Sequence, residues 1–352
     1  MARRALSPAC LGLVQAIETV VPPALAATGL GRVTVALSGG ADSLALSAAT
    51  AWATRHRAGG PLAGVGATAL VVDHGLQADS AAVAATARAQ AEALGLPAGV
   101  VRVDVVERGQ GVEAAAREAR YAALLADPSA LVALGHTLDD QAETVLLGLA
   151  RGSGVRSLAG MADRSGRLVR PLLAQRRTTT EQACRDWGLT WWQDPANADG
   201  SYARSRLRTA LPELERLLGP GLAEALARTA TLARLDADYL DALAAGCGLD
   251  TGQDRLPLAE LAGVPPVLRQ RLLLAWLRRH GGDQVGYDHV AAVDRLITAW
   301  HGQKSVSLPG GRVSREGDQL VVAVVSTSST TGATKISLSS AGPWSDHGIF
   351  PR

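Results

Sequence analysis

The chain has 352 residues, 47% of them apolar, with a formal net charge of +2. That is enough apolar material for more than one core, and it excludes a mainly disordered chain. So small a net charge also excludes a globally basic nucleic-acid binder, so any RNA surface must be a local patch. Lys304 and Lys335 are the only lysines, leaving arginine to supply 33 of the 35 basic side chains. A codon bias accounts for that skew, since alanine is also heavy and Phe350 is the only phenylalanine. Cys10, Cys184 and Cys247 are far apart and no CxxC occurs, which excludes a zinc ribbon or thioredoxin-like motif and fits a reducing cytoplasm.

The opening stretch, MARRALSPACLGLVQAIETVVPP, has the outline of a signal peptide, but Pro8, Gln15 and Glu18 interrupt its apolar part. An amphipathic helix over about residues 9–20 fits better. No apolar run approaches the ~18 residues of a membrane span, so a soluble chain with no membrane partner is expected. VTVAL (33–37), ATALVVD (67–73), VVRVDV (100–105) and ALVALG (130–135) read as buried strands. Their near-continuous apolar character is what a parallel sheet covered on both faces requires. Residues 43–57, 79–95, 111–126 and 139–150 between them have helical composition. The alternation predicts an α/β fold with a doubly wound parallel sheet and ligands at the carboxyl ends of the strands.

Residues 212–244 read as linker helices, with Pro212 near the start and Glu213 and Glu215 in the first turn. A smaller α+β unit over 245–325 is helical through 266–280 and 286–301 and closes with strands around Pro309-Gly310-Gly311. Residues 326–352 are rich in Ser, Thr and Gly and read as a flexible tail. The expected division is thus 1–211, 212–244, 245–325 and 326–352, with no internal repeat.

Two of the strands run directly into chemistry. SGGADS (38–43) lies between a strand and a helix, where a glycine-rich loop can cradle phosphate. Gly39 and Gly40 permit unusual backbone angles and let N–H groups approach phosphate, Ser38 and Ser43 add hydroxyls, and Ala41 completes the loop. Asp42 would repel phosphate unless a cation bridged them, which marks it as a candidate Mg²⁺ ligand. The loop is not GxxxxGK[ST], and no lysine precedes Lys304, so a P-loop NTPase is excluded. Gly29-Leu30-Gly31 precedes its strand, which counts against a dinucleotide fingerprint. An ordinary tight turn with a capping serine is the plain alternative.

The second cluster is GHTLDDQAETVLLGLARGSGVRSLAGM (135–161). His136 ends a strand, and Asp140 and Glu143, three apart on a helix, share a face as a compact anionic site for an ammonium group or Mg²⁺. Helix capping alone explains one such carboxylate, but Asp139, Asp140 and Glu143 together with a histidine exceed what capping needs.

SGGADS resembles the pyrophosphate loop of the ATP pyrophosphatase (PP-loop) superfamily, with its adenine nucleotide alpha hydrolase-like fold. Across about residues 30–325 the chain resembles the tRNA(Ile)-lysidine synthetase family, through VALSGGADSLAL, VVDHGLQADS, GVEAAAREARYAAL, HTLDDQAET, VRPLL and WWQDPANADGSYARSRLRTALPELE. The resemblance implies ATP and Mg²⁺, and three substrates: ATP, L-lysine and an isoleucine tRNA with a CAU anticodon. Carbon 2 of the wobble cytidine is adenylated, and the lysine ε-amino group then displaces AMP. It further implies that Asp140 and Glu143 hold the lysine ammonium and that His136 or a carboxylate accepts the proton. Arg117 and Arg120, in ExxxRxxRY, would face tRNA or the adenylate, as would Arg151.

Arg204, Arg206 and Arg208 alternate in YARSRLR, which on an extended segment places all three on one side as a phosphate-tracking strip. Trp191 and Trp192 offer base stacking, against a core role at the end of an apolar strand. Asp73 and His74, just past a strand end, would lie near the nucleotide or simply form a turn. Arg269, Arg271, Arg278, Arg279 and His280 make one helix basic. Two other readings stay open: a tRNA sulfurtransferase of the same fold, which generally carries cysteine pairs, and a catalytically silent tRNA-binding protein.

Overall fold

A computed structural model describes residues 6–324, except 56–58, 108, 110, 153, 195–199, 201–202 and 283, together with 336–337. Apart from that last pair, the expected tail 326–352 lies outside the described residues, as does Tyr202. The chain forms two compact units, one of residues 1–144, 161–227 and 332–352, the other of 145–160 and 228–331.

The first unit opens with α1 (Pro8–Thr28), β1 (Arg32–Leu37), α2 (Ala41–Arg55), β2 (Gly66–Asp73), α3 (Ser80–Ala93), β3 (Ala98–Val103), α4 (Val112–Leu124) and β4 (Ala130–Ala133). Helix α5 (Leu138–Ala150) follows, then the short α6 (Val155–Leu158), β5 (Arg164–Ser165), β6 (Leu168–Val169), α7 (Arg177–Trp187) and α8 (Ala203–Leu218). With β11 (Ile336–Ser337), the strands form one sheet in the order β11-β3-β2-β1-β4-β6-β5. Strands β3, β2, β1, β4 and β6 run parallel, and only the edge strands β11 and β5 pair antiparallel. The expected α/β fold with a doubly wound, mostly parallel sheet is therefore present.

The period of two along each strand sorts the core. Val33, Val35, Ala69, Val71, Leu131 and Ala133 pack on the face shared with α1, α2 and α3. Leu70, Val72, Val132 and Leu134 turn to the other face, beside Ala119, Ala123 and Leu124 of α4. Helix α1 starts where the Ser7 hydroxyl accepts from the Cys10 N–H at 3.3 Å. It runs past residue 20, through Pro22 and Pro23, because Val21, Ala24 and Leu25 continue its buried stripe. By length and composition α1 could span a membrane, with a mean hydropathy of 1.5, which corrects the expectation that no stretch reaches that length. In the fold Leu13, Val14 and Ile17 of the same helix are buried in the core.

The second unit contains the end of α5, α6 and most of α9 (Leu222–Ala245), then β7 (Arg255–Pro257), α10 (Leu258–Ala262), α11 (Pro266–Gly281) and α12 (Tyr287–Thr298). It closes with β8 (Val306–Leu308), β9 (Gly311–Glu316) and β10 (Gln319–Val324), in an antiparallel sheet ordered β7-β10-β9-β8. Its core gathers Leu261, Leu273, Trp276, Val293, Val313 and Leu320. Arg156 pairs with Asp238 at 2.6 Å and with Asp241, fastening the 145–160 segment onto α9. In α11, Arg269 is buried against Asp294 at 2.6 Å and so is part of the core rather than a basic surface, and Arg271 pairs with Asp241 at 2.5 Å.

Candidate active site

Beyond the carboxyl ends of β1, β2 and β4 lies a cleft of about 770 Å³, lined wholly by the first unit. Strand β1 delivers Ser38, Gly40, Ala41, Asp42 and Ser43 to its floor. The loop is held from within: the Ser43 hydroxyl receives the Ser38 N–H at 3.1 Å and donates to the Gly40 carbonyl at 3.0 Å. Of its two glycines only Gly39 has a positive φ, +85°, so the freedom expected of Gly40 is not used. The Gly39 carbonyl accepts the Trp192 N–H at 2.9 Å, which ties the loop to a segment about 150 residues later in the chain.

Asp42 opens α2, and its carboxylate is held by α7. Thr180 donates to Oδ1, and Arg177 Nε lies 3.4 Å from Oδ2. Burial pushes Asp42 up to about 6, against the hydrogen bond from Thr180 and the Arg177 charge. At the start of α5, Asp140 Oδ2 accepts the Thr137 N–H at 2.8 Å and the Thr137 hydroxyl at 2.9 Å. That is the reciprocal cap of a helix N-terminus, so capping is one of its duties. Its other oxygen, Oδ1, meets Arg177 Nη2 at 3.0 Å and Arg208 Nη2 at 3.4 Å. Burial works to raise Asp140, but Arg177, the Thr137 N–H and the neighbouring cations hold it below the ordinary carboxylate range.

Glu143 is buried to 1% side-chain exposure and does not line the cleft. It accepts from Arg204 Nε at 3.1 Å and Arg208 Nε at 3.0 Å, with Arg177 Nη1 at 3.5 Å. The compact anionic pair read from the sequence is therefore already matched by three guanidinium groups. Asp139 pairs with Arg176 at 3.1 Å and accepts the Arg177 backbone N–H at 2.7 Å.

His136 lines the cleft, and its buried Nδ1 makes no hydrogen bond among the described residues. Burial drives it down to about 4, with Asp140 pulling the other way, so it is a neutral imidazole at physiological pH. Gly135 brings β4 against the loop: a Cβ there would sit 3.1 Å from the Asp42 carbonyl carbon and the Ser43 nitrogen. Asp73 and His74 line the cleft at the end of β2, where Asp73 accepts the Gly75 N–H at 2.9 Å in a turn.

The other expected site residues divide. Arg120 reaches the cleft, whereas Arg117 stacks over Tyr121 at 4.9 Å and is not among its lining residues. Arg151 is exposed beyond α5, in the second unit. Arg204, Arg206 and Arg208 sit on a helix and not on an extended strip, because α8 begins at Ala203 with Pro212 in its interior. The four-residue spacing of Arg204 and Arg208 aims both at Glu143, while Arg206 turns to the Gly200 carbonyl at 2.8 Å. Trp191 and Trp192 line the cleft from a coil segment rather than a strand, with Trp191 also packed on the core.

Arg177 and Thr180 escaped the sequence reading. The available signal was Arg176 and Arg177 together at a helix start, where the dipole disfavours cations and a distant anion is needed to offset them. As for cysteine chemistry, burial pushes Cys184 up to about 12 and raises Cys10, and no cysteine lines the cleft among the described residues.

The chain is similar to known proteins. Residues 14–215 match a PP-loop domain family and residues 256–321 a TilS substrate binding domain family. A tRNA(Ile)-lysidine synthase from Mycolicibacterium paratuberculosis is 54% identical over 79% of this chain and 86% of its own length. That of Thermobifida fusca is 50% identical over 88% and 97%. Among solved structures, the U34-tRNA thiolase NcsA from Methanococcus maripaludis aligns at a TM-score of 0.51 and 17% identity over 63% of this chain and 78% of that one, a likeness of fold. With the loop, the acidic helix start and both family regions present in order, the chain belongs to the PP-loop family of tRNA(Ile)-lysidine synthases.

Proposed function

We propose that this cleft makes lysidine in the cytoplasm, on the wobble cytidine of an isoleucine tRNA with a CAU anticodon. The carbonyl oxygen at carbon 2 attacks the α-phosphorus of ATP and pyrophosphate leaves. The ε-amino nitrogen of free lysine then bonds to carbon 2, the bond from that carbon to the AMP oxygen breaks, and the amine gives up a proton. The observation that carries the reading is that Asp42 of the loop and Asp140 of α5 face one cleft and share one cation, Arg177.

The Ser38–Ser43 loop and the start of α2 supply N–H groups and hydroxyls for the pyrophosphate. Magnesium is commonly held by one or two carboxylates plus substrate phosphates. Asp42, the carboxylate of the loop, fits that use, and the ion would supply charge neutralisation there. Asp140 Oδ1 is the cleft-facing oxygen for a lysine ammonium, which would exchange with the guanidinium groups now on it. Glu143 acts behind it by holding Arg204 and Arg208. An ammonium of pKa about 10.4 has no lone pair, so attack needs a proton acceptor. Neutral His136, which lines the cleft, suits that task better than Asp140, which stays ionised and bound to cations. Arg120 would meet the adenylate or tRNA at the cleft, and Arg117, Arg151 and Arg206 would contact tRNA outside it.

The test is ATP-dependent incorporation of labelled lysine into CAU-anticodon isoleucine tRNA, with the methionine tRNA as control. Label on the isoleucine tRNA is the expected outcome. Pyrophosphate release without label would point to a different nucleophile and sink the lysine assignment.

A further inference from the structure

Buried hydroxyls near the loop fall into two kinds. On α2, Ser47 and Thr50 donate to the carbonyls of Ser43 and Leu46, both at 2.8 Å, closing onto their own helix. Thr180 of α7 is equally buried, at 0% exposure, yet it crosses to α2 and donates to Asp42 Oδ1. Its own-helix alternative, the Arg177 carbonyl, lies 2.7 Å away. A hydroxyl has one proton, so whichever acceptor takes it goes without in the other arrangement. Among the described residues the second oxygen of Asp42 meets Arg177 Nε, at 3.4 Å, a long contact that does not fix the carboxylate plane.

We propose that Thr180 is a positioning residue for the reaction, its hydroxyl setting the rotation of the Asp42 carboxylate within the phosphate loop. The inference rests on the reading of that loop as the ATP site. Arg177 supplies charge to Asp42 and Thr180 supplies direction; removing the hydroxyl deletes no charged group, though it also takes away a hydrogen bond that helps keep Asp42 ionised. A carboxylate free to turn beside the pyrophosphate would lower turnover without removing a substrate contact, since small misplacements at a reacting centre are costly in rate.

The experiment compares the full-length wild-type chain with Thr180→Val, which keeps the shape and loses the hydroxyl, and Thr180→Ser, which keeps the hydroxyl. Pyrophosphate release with tRNA and lysine labelling are both followed. Thr180→Val is expected to lose about 10- to 100-fold in kcat, with the lysine KM and tRNA affinity within about threefold of wild type. Thr180→Ser is expected to recover to within about threefold of wild type. If valine is not accepted by the fold, Thr180→Ala gives the same contrast. Wild-type kcat in the valine or alanine variant, or a serine variant as slow as either, overturns the proposal. A wild-type chain that releases pyrophosphate but incorporates no lysine would fail the lysine assignment, while the contrast at Thr180 would still be read on pyrophosphate. A wild-type chain that releases none overturns both.

Discussion

Arg177 Nη2 lies 3.0 Å from Asp140 Oδ1, and through its other nitrogens the same guanidinium reaches Asp42 and Glu143. One side chain of α7 thus ties the first turn of α2 to the start of α5. The three carboxylates hold it firmly as a cation even though burial opposes the charge. Arg177→Gln would leave two buried carboxylates short of a partner, a loss of roughly 2–4 kcal/mol after allowing for Arg204 and Arg208 nearby. The melting temperature should fall by about 5–15 °C. Arg177→Lys, a point charge without the fork, should fall between the two. A glutamine variant melting with the wild type would contradict the bridging role.

Asp42 gives a prediction with a definite sign. Its folded value, about 6, stands above the ordinary 3.8, so between these limits the folded chain keeps a proton that the unfolded chain has shed. Ionisation therefore costs the fold stability as pH rises through about 6, and the cost is full above it. Asp42→Asn removes that cost. It should raise the melting temperature at pH 7.5 by a few degrees, for roughly 1–3 kcal/mol. The gain should shrink as pH drops below about 6 and vanish near 4, and calorimetry across that range would check it. Lysine incorporation should be abolished in the same variant. Equal melting of the two chains at pH 7.5 would show that Asp42 ionises without penalty.

Gly135 sets how closely β4 approaches the loop. A Cβ there would meet only backbone, at 3.1 to 3.2 Å from Asp42 and Ser43 atoms, and backbone cannot rotate away as a side-chain tip can. Gly135→Ala should therefore displace the loop, raising the KM for ATP about 3- to 10-fold at a stability cost of about 1–3 kcal/mol. Affinity for tRNA should be unchanged. ATP titration of pyrophosphate release decides it, and an unaltered KM would mean the loop yields without consequence.

The fold was legible where local pattern and burial agree. Buried parallel strands have no polar face, so VTVAL and ATALVVD announced themselves, and alternation with helices implied the crossover order. Ser38–Ser43 and His136–Asp140 were legible because each lies where a strand ends, which is where such sheets place ligands. What failed was whatever depends on a partner far along the chain. The arginines of YARSRLR were read as extended because alternation suits a strand, yet the residue that makes sense of Arg204 and Arg208 is Glu143, about 60 positions earlier. Pro212 suggested a helix start by its usual preference, but α8 carries it in its third turn. Arg177 and Thr180 act on Asp42 across 135 and 138 residues, and nothing in their own neighbourhood names that target.

The cations that line the cleft, Arg120, Arg177, Arg204 and Arg208, are all guanidinium groups, and no lysine lines it among the described residues. A guanidinium does not give up its proton near neutral pH, so none of the four can offer an amine lone pair. The cationic groups on the cleft wall are thus inert as nucleophiles. An activated carbon formed inside the cleft would find no competing amine on the wall, and the chain would be protected from capturing its own intermediate.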